Sequence, residues 1–345
     1  VTPTAIEMLS QIFIMPEHIY KDVTDFEHND YNMNSVGTGP YKLVDYQSGS
    51  YLKFEANENY YKGEPSIKNV VFQIIENADT AILALQNGEV DAYQMTPQQV
   101  KKLDLDASNL STYSYSEGRV GYLEINCNRV TDEKVRKALL YAMDRKAMDD
   151  AAFESSEYYS IPYTFLPTNS QFYTEDGVEK YEQDVDKAKS MLEDAGVSGL
   201  KLKLGYMSSD AVQSAQALLI QEQLKEVGVT VELAGGDGTA IANAMKDPDN
   251  EYDMYLGGYI MGIDPDTFSS LFENDGAYNY MHYSGYDTID QLFEEGRSEL
   301  DESARKETYA KLQAAVQDTG AFYPIISNNK ILVVNNRIQG VEDAG

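Results

Sequence analysis

The amino-acid sequence predicts an α/β protein of about two domains. At roughly 150 residues per domain, a chain of 345 residues has room for two. Strand-like alternation at residues 201–206 and 229–233 flanks a helical pattern at 211–227. Such a β-α-β unit places its two strands parallel. Hydrophobic residues make up 42% of the chain, which is enough to build a core in each domain.

The first part of the chain carries a predicted hairpin and then a strand-helix-strand segment. Residues 41–46 and 51–56 read as strands, and the Gly-containing turn between them is typical of a β-hairpin. The elements expected next are a strand at 68–75, a helix at 80–86 and a strand at 91–93. Together they predict one α/β unit, which the chain leaves through a strand at residues 121–126.

After that strand the sequence predicts further helices and strands, closed by two apolar strands. Arg136 and Arg145 lie on a helical stretch with acidic neighbours, and we expect them to form caps and surface ion pairs. The later elements predicted, besides the β-α-β unit, are helices at 185–195, 289–299 and 303–317 and strands at 322–326 and 331–334.

One stretch combines a strand, a glycine pair and a helix start. The alternation at 252–256 predicts a short strand that loosens at Gly257 and Gly258, where backbone can approach another chain or a ligand. Asp264 followed by Pro265 is a typical helix start. Between them lies an aromatic-apolar patch formed by Tyr259, Ile260 and Met261. Ligands of α/β sheets bind at the carboxyl ends of strands, so this turn is predicted to form one wall of a binding crevice.

Charge and composition argue against several function classes. The 27 basic residues against 57 acidic ones give a net charge of −30, which disfavours binding to nucleic acid or to an anionic bilayer. Three histidines in no metal-binding spacing and a single cysteine, Cys127, give no reason to expect a metal, a cofactor or an intrachain disulfide. No apolar run in the sequence is long enough to span a membrane.

Short motifs are spread over nearly the whole chain. They are Val36-Gly37-Thr38-Gly39-Pro40-Tyr41, Asn57-Glu58-Asn59-Tyr60-Tyr61-Lys62-Gly63, Asp264-Pro265-Asp266-Thr267-Phe268 and Asn336-Arg337-Ile338-Gln339-Gly340. These motifs resemble signature segments of extracytoplasmic solute-binding proteins of family 5, the peptide, nickel and opine class that serves ABC importers. The second motif carries Tyr61 where that family usually has Trp.

The resemblance implies a fold and a domain division. The fold is a two-lobed, periplasmic-binding-protein-like α/β architecture of type II, cluster C, with a hinge where the chain crosses near residues 121–126 and 322–327. The implied division is a remnant of an N-terminal subdomain with its linker at 1–35, lobe I at 36–121, lobe II at 122–324 and a return to lobe I at 325–345. We also expect the chain to be a fragment that lacks the family's N-terminal portion.

The resemblance also implies a function without catalysis. The chain is expected to be the substrate-binding subunit of an ABC importer, a monomer outside the membrane, as a surface lipoprotein or in the periplasm. It would capture an oligopeptide between the lobes and deliver it to the permease subunits. Two alternatives stay open. One is a non-peptide solute bound by a member of the same family, and the other is an acidic extracellular hydrolase with an acid pair such as Asp264 and Asp266.

The candidate ligand-binding residues come from strand ends and loops of lobe II. They are Tyr206, Met207, Gly258, Tyr259, Ile260, Met261, Asp264, Tyr280 and His282. The tyrosines among them offer a broad apolar face with a polar tip, which suits an adaptable binding surface.

Two of these positions depart from what the resemblance implies for dipeptide-binding members. Those members hold the peptide ammonium with an Asp where this chain has Met261, and the carboxylate with an Arg where it has Met207. An unpaired buried ionic end costs at least several kcal/mol. A free dipeptide is therefore a poor solute unless Asp253, Glu124 or an acid from the expected missing N-terminal portion substitutes. A longer peptide held through its backbone, or a non-zwitterionic solute, fits better.

Overall fold

A computed structural model of the protein describes residues 3, 5, 9, 12–34, 36–105, 108–153, 156–260, 262 and 264–342. Its strands are β1 (Tyr41–Gln47), β2 (Tyr51–Ala56), β3 (Asn69–Gln73), β4 (Ala92–Met95), β5 (Leu110–Ser116), β6 (Arg119–Ile125), β7 (Tyr159–Ser160), β8 (Lys201–Met207), β9 (Thr230–Gly236), β10 (Met254–Ile260) and β11 (Phe322–Asn335). Its α-helices are α1 (Glu17–Tyr20), α2 (Ala78–Gln86), α3 (Pro97–Val100), α4 (Glu133–Tyr141), α5 (Arg145–Phe153), α6 (Val185–Asp194), α7 (Ala211–Glu226), α8 (Gly238–Met245), α9 (Ser269–Phe272), α10 (Asp287–Ser298) and α11 (Glu302–Asp318). Short 3-10 helices lie at Asp30–Asn34, Ser156–Tyr158 and Pro265–Phe268.

The strands form two sheets. A small antiparallel sheet has the order β1-β2-β3, and a larger sheet has the order β4-β11-β6-β10-β8-β9, with β5 and β7 also paired to β11. Strand β8 runs parallel to β9 and to β10, and α7 lies between β8 and β9 in the chain. The predicted hairpin and the predicted parallel β-α-β unit are therefore both confirmed.

Strand β11 is continuous, where the sequence indicated two strands. Its first residues pair with β6, Ser327 and Asn328 pair with β7, and its last residues pair with β4 and β5. The polar run 327–330 reads as a break in the sequence. In the fold, partner strands satisfy the backbone groups of this run. The prediction of separate strands at 322–326 and 331–334 was wrong for that reason.

Two chain segments pass side by side between the two halves of the large sheet. The first segment belongs to β11. Ile326 of this strand still pairs with Gly121 of β6, and from Asn329 onward the strand pairs with β5. The other segment is the short turn that joins β5 to β6. We call these segments, residues 117–118 and 327–328, the crossing. Paired segments of this kind permit hinge bending between two lobes.

Three hydrophobic clusters support the sheet. On β6, Leu123 belongs to a cluster that includes residues of α4, α5 and α7, and Tyr122 belongs to a second cluster that includes residues of α10 and α11. The two side chains face opposite sides because a strand has a period of two residues. A third, smaller cluster joins α2 and β4 to the second half of β11 and includes Leu85, Met95 and Val333.

Strand β10 does not loosen at its glycines. It runs to Ile260 and stays paired with β6 along its length, with Gly257 opposite Tyr122. A Cβ at position 257 would lie 2.6 Å from Cζ of Tyr122. This glycine therefore makes room for the Tyr122 ring, whose centre is 4.9 Å from that of Tyr259. The predicted strand end at residue 256 was wrong, because a side chain of the neighbouring strand fills the space over the glycine.

Arg136 and Arg145 are buried, which differs from the surface pairing expected of them. Arg136 donates two hydrogen bonds to the carbonyl oxygen of Thr319, at 3.1 and 2.9 Å. Arg145 donates to the carbonyl oxygen of Pro324 at 2.7 Å, and its guanidinium carbon lies 3.9 Å from the ring centre of Tyr323. The two guanidinium groups tie α4 and α5 to β11 and the turn before it through backbone carbonyls.

Replacing Gly257 with Ala should destabilise the protein by about 1–3 kcal/mol, because the new methyl group overlaps the Tyr122 ring in a packed sheet. The matched control is Gly236→Ala at the end of β9, where a Cβ would meet its nearest neighbour, Ile241, at an ordinary 3.4 Å. Urea denaturation midpoints measure both effects. Equal midpoints for the two variants would contradict this role of Gly257.

Candidate functional site

The carboxyl ends of β8 and β10 lie at one end of the large sheet, together with the start of β6. The residues at this end, which we call the strand-end surface, are Arg119, Tyr206, Met207, Gly258, Tyr259 and Ile260. Five of the nine predicted site residues are therefore brought together. They lie where α/β sheets bind ligands, and β6 leads from this end directly into the crossing.

Strands β8 and β10 separate before they reach that end of the sheet. They pair only at Met254 with Leu204 and at Tyr255 with Gly205, whereas β6 stays paired with β10 to its end. Among the described residues, the edge of β10 that faces β8 therefore has no strand partner from Leu256 onward. An open strand edge presents N–H and C=O groups that another extended chain can pair with.

The side chains at the end of β10 differ in how open they are. Ile260 is 56% exposed, and Gly258 is exposed as well. Tyr259 is partly buried, and its hydroxyl donates a hydrogen bond to the carbonyl oxygen of Phe165 at 3.0 Å. Tyr259 therefore serves mainly to pack the sheet, and Ile260 presents the open apolar surface.

Tyr206 and Met207 end β8 and are both partly buried. The Tyr206 ring lies over Gly235, where a Cβ would be 2.7 Å from its Cζ. Met207 lies beside Gly238, where a Cβ would be 2.9 Å from its sulfur. The backbone N–H of Met207 donates to Oε1 of Gln213 at 2.8 Å. Both side chains thus have a neighbour within the lobe and keep part of their surface at the strand ends.

Arg119 is a member of this surface that no motif indicated. Its side chain covers Gly258, since a Cβ at that position would lie 2.7 Å from Cζ of Arg119. Ile260 is its partner in the strand pairing. The sequence carried one signal for this arrangement, the glycine pair of β10, because glycine leaves room for a long side chain from the neighbouring strand.

Asp264 serves the fold, although it was predicted to bind ligand. Its two carboxylate oxygens accept hydrogen bonds from the two terminal nitrogens of Arg305, both at 2.7 Å. One of them also accepts the N–H of Asp266 at 3.0 Å, as expected of a helix cap. Asp264 is 7% exposed, so its charge is used within the lobe. Met261, also predicted, lies outside the described residues.

Asp264 and Asp266, the acid pair considered for a hydrolase, each form an ion pair with an arginine. Asp266 lies 2.8 Å from Nε of Arg297, and Asp264 is bound by Arg305. Burial raises the pKa of Asp266, while Arg297 acts in the opposite direction. A glycosidase pair has one carboxyl group positioned to protonate the leaving group and another facing the reacting carbon or water. The structure instead gives each carboxylate a cationic partner.

Tyr280 and His282 lie at the opposite end of the large sheet. The Tyr280 ring centre is 6.5 Å from that of Tyr255, near the start of β10, and Nε2 of His282 is 2.7 Å from the carbonyl oxygen of Met245. Neither residue lies on β6, β8 or β10, so Tyr280 and His282 are not members of the strand-end surface. They line a separate polar pocket of about 340 Å³.

Two acids could replace a missing ammonium anchor. Asp253 is already paired with an arginine, and Glu124 is buried. Asp253 lies 2.6 Å from Nε of Arg129 and accepts the N–H of Lys203 at 2.7 Å. Glu124 is 0% exposed, and its carboxyl oxygens have no hydrogen-bond partner within the described residues. Burial raises the pKa of Glu124 to about 8. Neither acid presents an open carboxylate at the strand-end surface.

The described residues contain no group of three or more His, Cys, Asp or Glu side chains placed to hold a metal ion. Cys127 is partly buried and packs against the second hydrophobic cluster. Over the same part of the chain, no helix has the length and apolar character needed to cross a bilayer.

Comparison with known proteins gives a family match over most of the chain. The family model described as bacterial extracellular solute-binding proteins, family 5, middle region, matches residues 1–280. This range includes β1 to β10 and therefore every member of the strand-end surface.

Individual relatives agree with that match. The chain is 27% identical over 358 residues to the oligopeptide-binding protein AppA of Bacillus subtilis, an alignment that covers 95% of this chain and 64% of that protein. It thus spans less than two thirds of this curated relative. Its structure is similar to that of the ABC transporter substrate-binding protein CtaP from Listeria monocytogenes, with TM-score 0.93, 37% identity, and coverage of 100% of this chain and 71% of that one. It is also similar to the structure of a putative peptide-binding protein AppA from Clostridium difficile. That match has a TM-score of 0.94 and 32% identity, and it covers 100% of this chain and 72% of that one.

The enclosed carboxyl group of Glu124 predicts a pH-dependent stability. Its folded-state pKa of about 8 lies above the value of about 4.3 expected in the unfolded chain. Between these two values the folded protein keeps a proton that the unfolded chain has lost. The contribution of Glu124 to stability therefore falls as the pH rises through this window, by up to about 1.4 kcal/mol per pH unit.

Glu124→Gln removes this titration while keeping the shape of the side chain. The variant should gain stability relative to the natural protein as the pH is raised from 5 to 8, measured as thermal midpoints. Glu222→Gln on the exposed face of α7 is the control, and it should follow the natural protein at every pH. A difference between Glu124→Gln and the natural protein that stays constant from pH 5 to 8 would contradict the shifted pKa.

Proposed function

The chain belongs to the bacterial extracellular solute-binding proteins of family 5, and from this premise we propose that it captures peptides for an ABC importer. The two-lobed α/β fold of the type II periplasmic binding proteins is confirmed by the close match to two solved structures over the whole chain. Peptide capture takes place between the lobes, beside the crossing.

The main support for peptide capture is the open edge of β10. From Leu256 onward this edge has no strand partner among the described residues, and Gly258 and Ile260 at its end are exposed. An extended peptide can add to such an edge through main-chain hydrogen bonds, which do not depend on its sequence. Apolar surface at Ile260 then contacts side chains of the peptide. The edge thus favours a ligand with a regular backbone over a compact solute.

The two acids that could hold a peptide ammonium group favour a peptide longer than two residues. Asp253 is bound to Arg129, and Glu124 is enclosed, so neither is positioned to hold a free ammonium group. In a dipeptide both charged ends lie close together and must both be paired on binding. A longer peptide can place its ammonium group in water and bind through its middle and carboxyl end. We therefore propose an oligopeptide as the solute.

The proposed role involves binding without catalysis. The AppA protein of Bacillus subtilis is described as an oligopeptide-binding protein, and the acid pair of the hydrolase alternative is bound by arginines. We propose that the chain acts as a monomer outside the membrane, on the cell surface as a lipoprotein or in the periplasm, and passes peptide to permease subunits. The proposed lobe boundaries, at residues 121/122 and 324/325, lie within β6 and β11, next to the crossing.

Release of bound solute tests peptide capture directly. The protein is purified without denaturation and then unfolded, and released compounds are identified by mass spectrometry. We expect a mixture of peptides of different sequence, because main-chain pairing is tolerant of side chains. A single non-peptide compound would contradict peptide capture and leave the family assignment intact. Fragments that accumulate when an identified peptide is incubated with the protein would contradict the absence of catalysis.

Backbone pairing predicts a pattern with N-methylated peptides. N-methylation removes the N–H donor at one residue, and only alternate residues of an added strand donate to the β10 edge. Methylation at two positions of one alternating set should weaken binding about 5- to 140-fold, the effect of losing two hydrogen bonds worth about 0.5–1.5 kcal/mol each. The intervening positions are the matched control and should change affinity little. Equal losses at both sets, measured by calorimetry, would contradict pairing with a strand edge.

A further inference from the structure

We propose that Arg119 is the anchor for the C-terminal carboxylate of the captured peptide. The inference rests on the proposed function, and it adds a residue and a chemical group that decide which peptides bind. Arg119 is the first residue of β6 and follows the turn that forms one half of the crossing. It therefore lies between the open end of β10 and the segment about which the lobes can bend.

The Arg119 side chain depends on Gly258 for its position. A Cβ at Gly258 would lie 2.7 Å from Cζ of Arg119, closer than an ordinary contact. The guanidinium group thus rests on the bare backbone of the β6–β10 pair. Any larger residue at position 258 would displace it. Gly258 thus leaves the space through which the guanidinium group reaches across β10.

Arg119 differs from the other arginines in having no hydrogen-bond or ion-pair partner in the part of the chain that the structure describes. It is nevertheless partly buried. The other six bind carboxylates or backbone carbonyl oxygens; they are Arg129, Arg136, Arg145, Arg297, Arg305 and Arg337. Acidic residues outnumber basic ones 57 to 27, so the sequence contains enough carboxylates to pair with every arginine.

The nearest acid in the sequence is already occupied. Glu117, two residues before Arg119, lies 3.4 Å from Nζ of Lys330 on β11. Asp264, whose motif follows β10, is bound to Arg305. The guanidinium group of Arg119 is therefore left as a cation at the end of an open strand edge. A group that is partly withdrawn from water and has no partner gains more from a new charged hydrogen bond than an exposed one does.

The planar fork of a guanidinium group matches a carboxylate through two parallel N–H···O bonds. A peptide paired with the open edge of β10 and ending near Ile260 brings its terminal carboxylate to the strand end, where Arg119 lies. This supplies a cation for the carboxyl end, which Met207 cannot provide. The recognised group is the carboxylate itself, so the identity of the last side chain matters less.

The test compares peptides that differ only at the carboxyl end. A pool of random pentapeptides is offered as free acids and as C-terminal amides, retained peptides are identified by mass spectrometry, and pairs are titrated by calorimetry. The natural protein should bind free acids about 10- to 100-fold more tightly than amides, as expected for a hydrogen bond to a charged group. Arg119→Met should abolish this preference by weakening free acids alone.

Two further variants separate recognition from general effects. Arg337→Met removes an exposed arginine that is bound to Asp91, and it should keep the preference for free acids. Gly258→Ala should reduce the preference because the new methyl group displaces the guanidinium group. Thermal midpoints check folding, and Arg119→Met should leave the midpoint nearly unchanged because Arg119 bonds to no other described residue.

The outcomes distinguish this inference from the proposed function. Peptide binding with equal affinity for acids and amides, or a preference that survives in Arg119→Met, would overturn the role of Arg119 and leave peptide capture standing. If the natural protein binds neither acids nor amides, peptide capture fails, and the role of Arg119 in it fails with it.

Discussion

The pairing of β10 with β6 continues past Gly257 and Gly258, and this pairing organises both faces of the large sheet around the candidate site. Because Gly257 and Gly258 carry no side chains, Tyr122 and Arg119 of β6 can lie across β10, one on each face of the sheet. Tyr122 links the second hydrophobic cluster to β10 and to Phe322 of β11. Arg119 takes the opposite face at the strand end. The same two glycines therefore support the second hydrophobic cluster and shape the open edge of β10.

The order of elements could be predicted from the sequence, whereas their ends and joins could not. The hairpin, the parallel β-α-β unit and most helices follow from local periodicity, which depends on residues close in the chain. The prediction failed at Gly257 and at the polar run 327–330, where local signals favour a break. In both places a neighbouring strand provides the partner, as Tyr122 does for Gly257 and β7 does for Ser327. Such partners are distant in sequence, so no local pattern contains them.

The candidate site was predictable in its location and less so in its members. Strand ends indicated by the sequence do meet at one end of the large sheet, because parallel strands bring their carboxyl ends together. Tyr280 and His282 were expected there because they lie in an aromatic loop segment, but they line a separate pocket. Arg119 carries no sequence signal of its own, because its distinguishing property is that it has no hydrogen-bond or ion-pair partner among the described residues. That property becomes visible only when the partners of all other arginines are known. In the part of the chain that the structure describes, the other six arginines bind carboxylates or backbone carbonyl oxygens, whereas Arg119 does not.

Hydrogen–deuterium exchange with and without a bound peptide would show directly whether the solute lies at the strand ends. Amides at the open β10 edge have no strand partner among the residues that the structure describes, and an added peptide strand would protect them. We expect slower exchange for residues 256–260 and for the crossing when peptide is bound, with no change at residues 279–284. Protection that appears at 279–284 and not at 256–260 would place the solute in the pocket at Tyr280 and contradict capture at the strand ends.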